Sequence, residues 1–422
     1  RVPNWSTQDF PTAQWYHVVT TAHLPYHVCG AQQDNSTLCV PSNRNAPGSG
    51  FGGVPPVEPY QVGGGEPGYI APHPTDPDVF WAGANNGSFL TRLNRRTGES
   101  REVGPYPLIY SGQPSKDIPE RIQWTFPIMN SPHDPKVLYA GANVLFRSTN
   151  LGQTWSIVSP DLTRNDPATL GASGGPLTKD QTSVEYYATI FATAESPVTK
   201  GLVWSGSDDG LIYYSRSVGT GAGMPAWTNV TPKDLPKWTR ISIIEPSRFA
   251  PGTMYFAANR YEMDDFAPYL YRTTDYGKTW TKIVTGIPGN EFTRAIREDL
   301  VRPGLLYAAT ERSMYVSYDA GDHWMSLKRN LPPVPVHDIA LRNDDIVIAT
   351  MGRGFYAMED AAPRIRQAVR WRRINLLSDL TPLGEMDVIF CRNTLGQFDK
   401  NSRRRVLEQF RAMIPEDGYL FL

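Results

Sequence analysis

An eight-residue pattern recurs three times between runs of alternating apolar residues, and it constrains the fold more than any other feature. The Gly in this pattern allows a backbone angle that other residues resist, the acid or amide accepts hydrogen bonds from turn amides, and the Trp gives the returning strand a large packing surface. The pattern therefore predicts a self-capped β-hairpin whose carboxylate is engaged by its own turn rather than by a substrate. The three copies are Ser148, Asn150, Gly152 and Trp155; Thr273, Asp275, Gly277 and Trp280; and Ser317, Asp319, Gly321 and Trp324.

A longer repeat contains these hairpins. An apolar strand, a Pro-containing loop and an apolar-aromatic strand recur a little over fifty residues apart, around the aromatics Trp81, Tyr139, Trp204, Tyr255 and Tyr307. That spacing suits a four-stranded blade with its loops. We expect an all-β fold, a β-propeller of about seven four-stranded antiparallel blades. The last blade lacks a full set of strands after "GRGFYAM", and the opening stretch "NWSTQDF", residues 4–10, is the candidate for the missing strand.

The composition excludes several classes of function. The formal net charge of −1 over 422 residues does not indicate a basic surface that binds nucleic acid. No apolar run approaches the length of a membrane span. The chain has 7 His, and no two lie at metal-ligand spacing on a helix, so we expect no metal site. The chain begins at Arg1 without a signal peptide, and we expect it to be a piece of a longer protein.

Two of the three cysteines flank a turn-rich stretch, "CGAQQDNSTLC", that has strand-like surroundings. Cross-strand geometry would allow Cys29 and Cys39 to form a disulfide, which would imply an oxidising compartment. The alternative is a pair of buried free thiols. We favour the disulfide.

The repeated hairpin resembles the Asp-box (BNR repeat) of sialidase-type and sortilin-like propellers. Residues 1–366, with "PTAQWYHV", "HVCGAQQDN", "SPDLTRNDP" and "TDYGKTWTKI", resemble the C-terminal propeller of long bacterial secreted proteins of sortilin-like or glycosyl-hydrolase-like type. The resemblance implies a secreted or periplasmic protein truncated at its N-terminus, with an upstream propeller missing. It also implies no cofactor for the propeller.

Polar residues at the start of each blade's first strand are the natural site candidates, because those strands line the central channel of a propeller. These residues are Glu66, Glu185, Arg240, Arg294, His337 and Asp338. A ring of mixed charge could hold a sugar, a peptide end or a metal ion. The alternative, which we favour, is a set of mutually paired, hydrated channel residues. No catalytic residue is assigned.

The sequence changes character after about Arg366. "DVIFC" and "GYLFL" are nearly continuous apolar strands, and "SRRRVLEQFRAMI" has a helical apolar stripe, so residues 367–422 predict part of an α/β parallel sheet. "DVIFCRN", "RRVLEQF" and "GYLFL" resemble the C-terminal part of CheR-type chemotaxis-receptor methyltransferases, which use S-adenosylmethionine. By that resemblance Asn375, Leu376, Arg392 and Asn393 would lie at the cofactor.

The Gly-rich cofactor motif of that family is absent upstream, where propeller sequence stands instead. The tail resembles a cytoplasmic protein. We expect it to be an incomplete fragment that neither binds S-adenosylmethionine nor catalyses methyl transfer. A gene fusion or a reading-frame artefact would explain how it is joined to the propeller. Three functions follow in order of preference. The first is an exported scaffold that binds a protein, peptide or glycan. The second is half of a tandem-propeller glycoside hydrolase. The third is a protein-glutamate O-methyltransferase, supported by the tail alone.

Overall fold

The structure is a computed structural model, and it describes most of the chain. The chain divides into two compact units, Arg1–Arg366 and Gln367–Leu422. The described residues are 12–42, 59–66, 68–84, 89–105, 112–177, 186–359, 361, 376–377, 379–381, 388–390, 395, 398–415 and 419–421.

Seven antiparallel sheets follow one another along the first unit, which confirms the seven-bladed β-propeller. Blades 2 to 6 have four strands, and the described parts of blades 1 and 7 have three. The strands are, blade by blade, β1 (Val19–Thr20), β2 (His27–Gln32), β3 (Ser36–Pro41); β4 (Ile70–Pro72), β5 (Val79–Ala84), β6 (Phe89–Asn94), β7 (Glu99–Glu102); β8 (Ile128–Asn130), β9 (Leu138–Gly141), β10 (Leu145–Ser148), β11 (Ser156–Ile157); β12 (Ile190–Glu195), β13 (Val203–Ser207), β14 (Ile212–Ser215), β15 (Thr228–Asn229); β16 (Arg240–Pro246), β17 (Met254–Arg260), β18 (Asp265–Thr273), β19 (Thr281–Lys282); β20 (Thr293–Glu298), β21 (Leu306–Thr310), β22 (Met314–Ser317), β23 (Met325–Ser326); β24 (Val336–Arg342), β25 (Asp345–Thr350), β26 (Phe355–Met358). Short 3-10 turns cover Ser115–Asp117, Pro167–Thr169 and Tyr261–Met263.

The second strand of each blade carries the core between neighbouring blades. Strands β9, β13 and β21 are buried at every position, and their side chains are apolar, aromatic or small, as expected of strands covered on both faces. The five aromatics that mark the repeat all lie on second strands and are at most 2% exposed: Trp81, Tyr139, Trp204, Tyr255 and Tyr307. The repeat in the sequence is therefore the repeat of the interblade core.

The repeated hairpins cap themselves with side-chain hydrogen bonds. In the second copy the Thr273 hydroxyl donates to Asp275 at 2.9 Å and accepts from the Gly277 N–H at 2.8 Å. Asp275 also accepts from the Thr279 N–H at 2.9 Å, and this bond leads the interactions that lower the pKa of Asp275. Gly277 has a φ of 78°, which a residue with a Cβ adopts reluctantly. The Asp side chain is thus engaged by its own turn.

The first and last blades meet through residues outside the repeat. Trp15 donates its backbone N–H to the Thr350 carbonyl, and its ring stacks on Phe355 with 4.0 Å between centroids. Gln14 forms a bridge with Met351. The stretch "NWSTQDF", proposed above for the missing strand of blade 7, lies outside the described residues.

A disulfide joins the two longer strands of blade 1. Cys29 on β2 and Cys39 on β3 stand directly opposite one another, with 4.1 Å between their Cα atoms, and both are fully buried.

The described part of the second unit combines two strands with a helix. Strands β27 (Val388–Phe390) and β28 (Tyr419–Phe421) pair in parallel, and α1 (Lys400–Met413) lies between them in sequence. Asp399 caps α1, and Val406, Phe410 and Met413 are its buried residues. The α/β prediction for the tail is confirmed. Among all described residues, no helix is long and apolar enough to cross a membrane.

Candidate functional site

The inner strands of the propeller start at one face, and a cavity of about 550 Å³ opens there. We call this cavity the channel mouth. Arg240 at the start of β16, Arg294 on β20 and His337 on β24 line it, so three of the six predicted channel residues come together.

Each of these two arginines is paired with a glutamate from a loop between the second and third strands of its own blade. Arg240 forms a bidentate ion pair with Glu262, at 2.6 Å to both carboxylate oxygens. Arg294 pairs with Glu311, with 2.6 Å between Nη2 and Oε2. Burial alone would lower the pKa of Arg240, but the Glu262 carboxylate raises it. Each arginine is therefore paired with a glutamate carboxylate beside it.

Aromatic rings fill the space between these ion pairs. Tyr261 stacks on Phe292 at 4.9 Å between centroids, and both arginine side chains lie over the Tyr261 ring, at 5.8 Å for Arg240 and 5.5 Å for Arg294. Tyr16, Trp124, Phe191 and Phe266 also line the channel mouth. Ring faces beside paired charges can bind both apolar and hydrogen-bonding parts of a ligand.

Three buried nitrogen atoms at the channel mouth have no hydrogen-bond partner among the described residues: Trp124 Nε1, Arg240 Nε and His337 Nε2. Burial, followed by the nearby Arg294 charge, lowers the pKa of His337 well below its usual value, so the ring is neutral at pH 7. A buried polar atom without a partner is costly, and a ligand that supplies partners would recover that free energy.

A buried charge network lies deeper in the channel. Asp338 is 2% exposed, contacts His17 Nδ1 at 3.2 Å and accepts from Arg297 Nη2 at 2.7 Å. Burial would raise the pKa of Asp338, but Arg297 and His17 hold it below its ordinary value. His17 also lines the channel mouth, whereas Arg297 lines a second cavity of about 420 Å³ where the inner strands end. Asp338 therefore forms hydrogen bonds with one residue that lines each cavity, His17 and Arg297.

The other two predicted channel residues are placed differently. Glu66 accepts from the Asp34 backbone N–H at 2.6 Å in an exposed contact and is not part of the described lining of the channel mouth. Glu185 lies outside the described residues. In the tail, Leu376 is half-buried against the small apolar core around α1, while Asn375, Arg392 and Asn393 lie outside the described residues.

The adjacent acids Asp208 and Asp209 do not form a catalytic pair. Asp208 accepts from the Thr189 N–H and hydroxyl at 2.9 and 2.8 Å, and Asp209 accepts from the Ser207 hydroxyl and the Arg164 N–H. Burial, with the neighbouring Asp209 charge, raises the pKa of Asp208 to about 7. The Asp208 carboxyl therefore joins the turn between β13 and β14 to Thr189, and the Asp209 carboxyl joins it to Arg164.

Sequence reasoning missed Glu262 and Glu311. Only polar residues at the start of first strands were considered, yet the loops between second and third strands reach the same face. Acidic residues in those loops of neighbouring blades, "RYEMDDF" and "TERSM", were the available signal. No group of three or more His, Cys, Asp or Glu suited to a metal ion occurs in the described part of the chain.

Comparison with known families assigns the C-terminal part. Residues 350–422 match the family model of the CheR methyltransferase, SAM binding domain. Chemotaxis protein methyltransferase 2 of Vibrio cholerae is 48% identical over 60 residues, which are 14% of this chain and 21% of that protein. The C-terminal tail is CheR-like.

The propeller is similar to a different group of proteins. A xyloglucanase of Paenibacillus sp is 26% identical over 324 residues, covering 61% of this chain and 30% of that enzyme. The GH74 xyloglucanase of Xanthomonas campestris has a TM-score of 0.57 and 18% identity, covering 84% of this chain and 54% of that one. YCF48 of Cyanidioschyzon merolae has a TM-score of 0.52 and 13% identity, covering 84% of this chain and 98% of that one. The chain spans less than a third of the relatives it matches in sequence, and the structural likeness concerns the fold.

Proposed function

We propose that the propeller is an exported scaffold whose channel mouth binds a protein, peptide or glycan ligand. The observation that carries this proposal is the set of three unpartnered buried nitrogens in an aromatic cavity of about 550 Å³. Concave sites with aromatic walls and a few convergent polar groups are the usual ligand sites of proteins. Secretion is part of the proposal and is supported by the buried Cys29–Cys39 disulfide, since such bonds persist in oxidising compartments.

The ion pairs restrict the chemistry of the ligand. Arg240 and Arg294 are each neutralised by a glutamate at 2.6 Å, so the channel mouth offers no net attraction to a polyanion. Uncharged hydroxyl or amide groups can bond Trp124 Nε1 and His337 Nε2 while a ring or aliphatic part packs on Tyr16 or Phe191. Glycans and extended peptides have both kinds of group.

The test is a binding screen with two defined libraries, a glycan array and an array of short peptides. We expect saturable binding that Trp124→Ala and His337→Ala each weaken at least tenfold. Arg272→Ala is the matched control, because Arg272 pairs with Asp322 away from the channel mouth. Binding that Arg272→Ala weakens as much as Trp124→Ala, or no binding on either array, would refute the proposal.

A second candidate is half of a tandem-propeller glycoside hydrolase, favoured by the sequence similarity to a xyloglucanase. Its catalytic cleft would need a second propeller beside this one. Hydrolysis uses two carboxyl groups, and Glu262 and Glu311 are the solvent-accessible acids at the channel mouth. Reducing-sugar release from xyloglucan by the chain, lost in Glu262→Gln or Glu311→Gln, would favour this candidate over simple binding.

For the tail we propose a non-functional remnant of a CheR-type methyltransferase. It is supported by the absence from this chain of the family's Gly-rich cofactor motif, where propeller sequence stands instead. The alternative is a working protein-glutamate O-methyltransferase. Titration calorimetry with S-adenosylmethionine separates them: we expect no heat of binding, and saturable micromolar affinity of this chain would establish the alternative.

A further inference from the structure

The second cavity, about 420 Å³ in volume, lies where the first strands of the blades end. That volume falls within the range of about 300–1,000 Å³ that is typical of small-molecule sites. Its charged lining residues come from the neighbouring blades 5 and 6, and much of the remaining wall is aliphatic. The aliphatic wall includes Val19, Ile70, Ile128, Leu300, Ile339 and Leu341. An apolar wall with a few polar groups is the usual composition of a ligand site.

Two residues that line the second cavity each have a buried oxygen atom to which no described residue donates a hydrogen bond. Glu298 is 2% exposed, and its Oε1 accepts from the Gly304 N–H at 3.2 Å and from the Tyr255 hydroxyl at 3.4 Å. Its Oε2 is the first of the two atoms. The second is Asn130 Oδ1, since the Asn130 amide is oriented by the bond from Nδ2 to the Pro72 carbonyl at 2.7 Å. Buried acceptors without a donor are costly, so both atoms favour a ligand that donates hydrogen bonds.

The second cavity is also lined by a guanidinium that has no hydrogen bond or ion pair among the described residues, that of Arg248 between β16 and β17. Glu245 is engaged by other groups: its Oε1 accepts from the Glu298 N–H at 3.3 Å, and its Oε2 lies 3.5 Å from Arg297 Nη1. Burial raises the pKa of Glu245, and the charges of Arg297 and Arg248 oppose that rise. Arg248 and Glu298 therefore both lie near Glu245, and the Arg248 guanidinium is available to a carboxylate.

The two cavities differ in the kind of atom that lacks a partner within the described part of the chain. At the channel mouth these atoms are nitrogens, whereas the lining residues of the second cavity contribute oxygens. The second cavity therefore suits a ligand with a donor group, a carboxylate and an apolar part.

We propose that the second cavity binds a free α-amino acid with an apolar side chain. The ammonium group donates to Glu298 Oε2 and Asn130 Oδ1, the carboxylate pairs with Arg248, and the side chain packs on the aliphatic wall. Hydrogen bonds between charged groups are the stronger ones in proteins, and a zwitterion forms them at both ends without adding net charge to the cavity. This site is separate from the channel mouth, and its ligand does not depend on what the channel mouth binds.

Isothermal titration calorimetry of the full chain tests the ligand with four probes, L-leucine, L-isoleucine, L-valine and L-phenylalanine, each titrated separately. We expect saturable binding of at least one. For the probe that binds most tightly, its amide lacks the carboxylate and its deamino acid lacks the ammonium group, and each analogue should bind about tenfold more weakly or worse. These titrations use the unaltered protein. No binding of any probe, or an amide that binds as tightly as the amino acid, would overturn the proposal.

Two variants assign the groups of the ligand to residues. Arg248→Met should weaken binding of the amino acid about tenfold and leave the affinity for its amide unchanged, because the amide has no carboxylate. Glu298→Gln keeps an oxygen for the Gly304 N–H and replaces Oε2 with a donor, so it should weaken binding of the amino acid and not of the deamino acid. Lys200→Met is the matched control, because Lys200 lies in the corresponding loop of blade 4 and is not part of the described lining.

The variants also separate this site from the channel mouth. Binding of the amino acid that survives Arg248→Met and is lost in Trp124→Ala would place the ligand at the channel mouth and overturn the proposal. Equal losses in Arg248→Met and Lys200→Met would overturn it as well, because they would reflect the net charge of this face rather than a contact with the carboxylate. Amino-acid binding by a chain that binds neither the glycan array nor the peptide array would leave this proposal standing and refute the one for the channel mouth.

Discussion

Neighbouring blades are held together by different contacts in two parts of the propeller. One part is the set of boundaries between blades 2 to 6, and the other is the boundary between blades 7 and 1. Between repeated blades, an indole N–H bonds the preceding blade and the ring packs on an apolar pair, as Trp280 does with Val230 and Ile212. Between blades 7 and 1, the stacking of Trp15 on Phe355 and the hydrogen bond between His17 Nδ1 and Asp338 take that role. We call the first kind repeat boundaries and the second the closing boundary.

The difference shows what repetition contributes. The tryptophan contact at a repeat boundary relies on apolar area and one neutral hydrogen bond, whose contributions are individually modest and insensitive to pH. The closing boundary includes a buried carboxylate that depends on Arg297 and His17 to remain ionised. Removing one partner of a buried charge pair costs more than removing one neutral hydrogen bond. The closing boundary should therefore be the more fragile to single substitutions.

The largest effect is expected for Asp338→Ala, which removes the His17 contact across the closing boundary. It also takes the 2.7 Å partner from the Arg297 guanidinium of blade 6, at a cost of about 3–5 kcal/mol in the free energy of unfolding. Urea titration followed by tryptophan fluorescence measures this loss. The paired variant Asp338→Leu with Arg297→Met removes both charges and should recover part of the loss, because Glu245, 3.5 Å from Arg297, then loses its own partner. A loss below about 1 kcal/mol for Asp338→Ala, the size of one neutral hydrogen bond, would contradict the distinction between the two kinds of boundary.

Trp280→Ala tests a repeat boundary, and we expect a smaller loss of about 3 kcal/mol from the lost apolar burial and hydrogen bond. Trp280→Phe keeps most of the ring packing on Phe256 and loses the bond to the Val230 carbonyl, so about 1 kcal/mol should be lost. The same urea titration applies. Equal losses for Ala and Phe would mean that ring packing contributes nothing at this boundary.

The disulfide of blade 1 contributes less than either boundary. Cys29 and Cys39 close a loop with a sequence separation of 10, for which loop entropy predicts about 2.7 kcal/mol. We expect Cys29→Ser with Cys39→Ser to lose about that much, and a reducing agent to destabilise the parent protein by a similar amount. The double variant should then be unaffected by the reducing agent. A parent protein that is insensitive to complete reduction would contradict this.

Asp208 gives the repeated blades one pH-dependent element. Its pKa is raised from an ordinary 3.8 to about 7, so between these pH values the folded protein holds a proton that the unfolded chain has lost. Stability from this group is therefore present below pH 3.8 and decreases by up to about 1.4 kcal/mol per pH unit as pH rises towards 7. Asp208→Asn should make the free energy of unfolding depend less on pH between about pH 5 and 7, as measured by urea titrations at several pH values. An unchanged slope would show that Asp208 is ionised throughout that range.

The fold was predictable because its defining feature is repeated. Alternating strands, turn residues and interblade aromatics such as Trp204 and Tyr307 each recur, so a weak local pattern becomes specific by repetition. The parallel pair and helix of the tail followed from apolar runs of the right length. The closing boundary was not predictable, because Trp15, His17 and Asp338 occur once and meet only through the circular arrangement of the blades.

The channel mouth was partly predictable for a related reason. Arg240, Arg294 and His337 were found because the first strand of a blade has a known position in the fold. Glu262 and Glu311 come from loops of different length and composition, and the geometry that brings them within 2.6 Å of the arginines is a property of the folded loops.

The Asp338 network also determines how the propeller can be used. Because Asp338 contacts both His17, which lines the channel mouth, and Arg297, which lines the second cavity, the two ends of the channel share one buried carboxylate. A substitution of Asp338 should therefore alter both ends together.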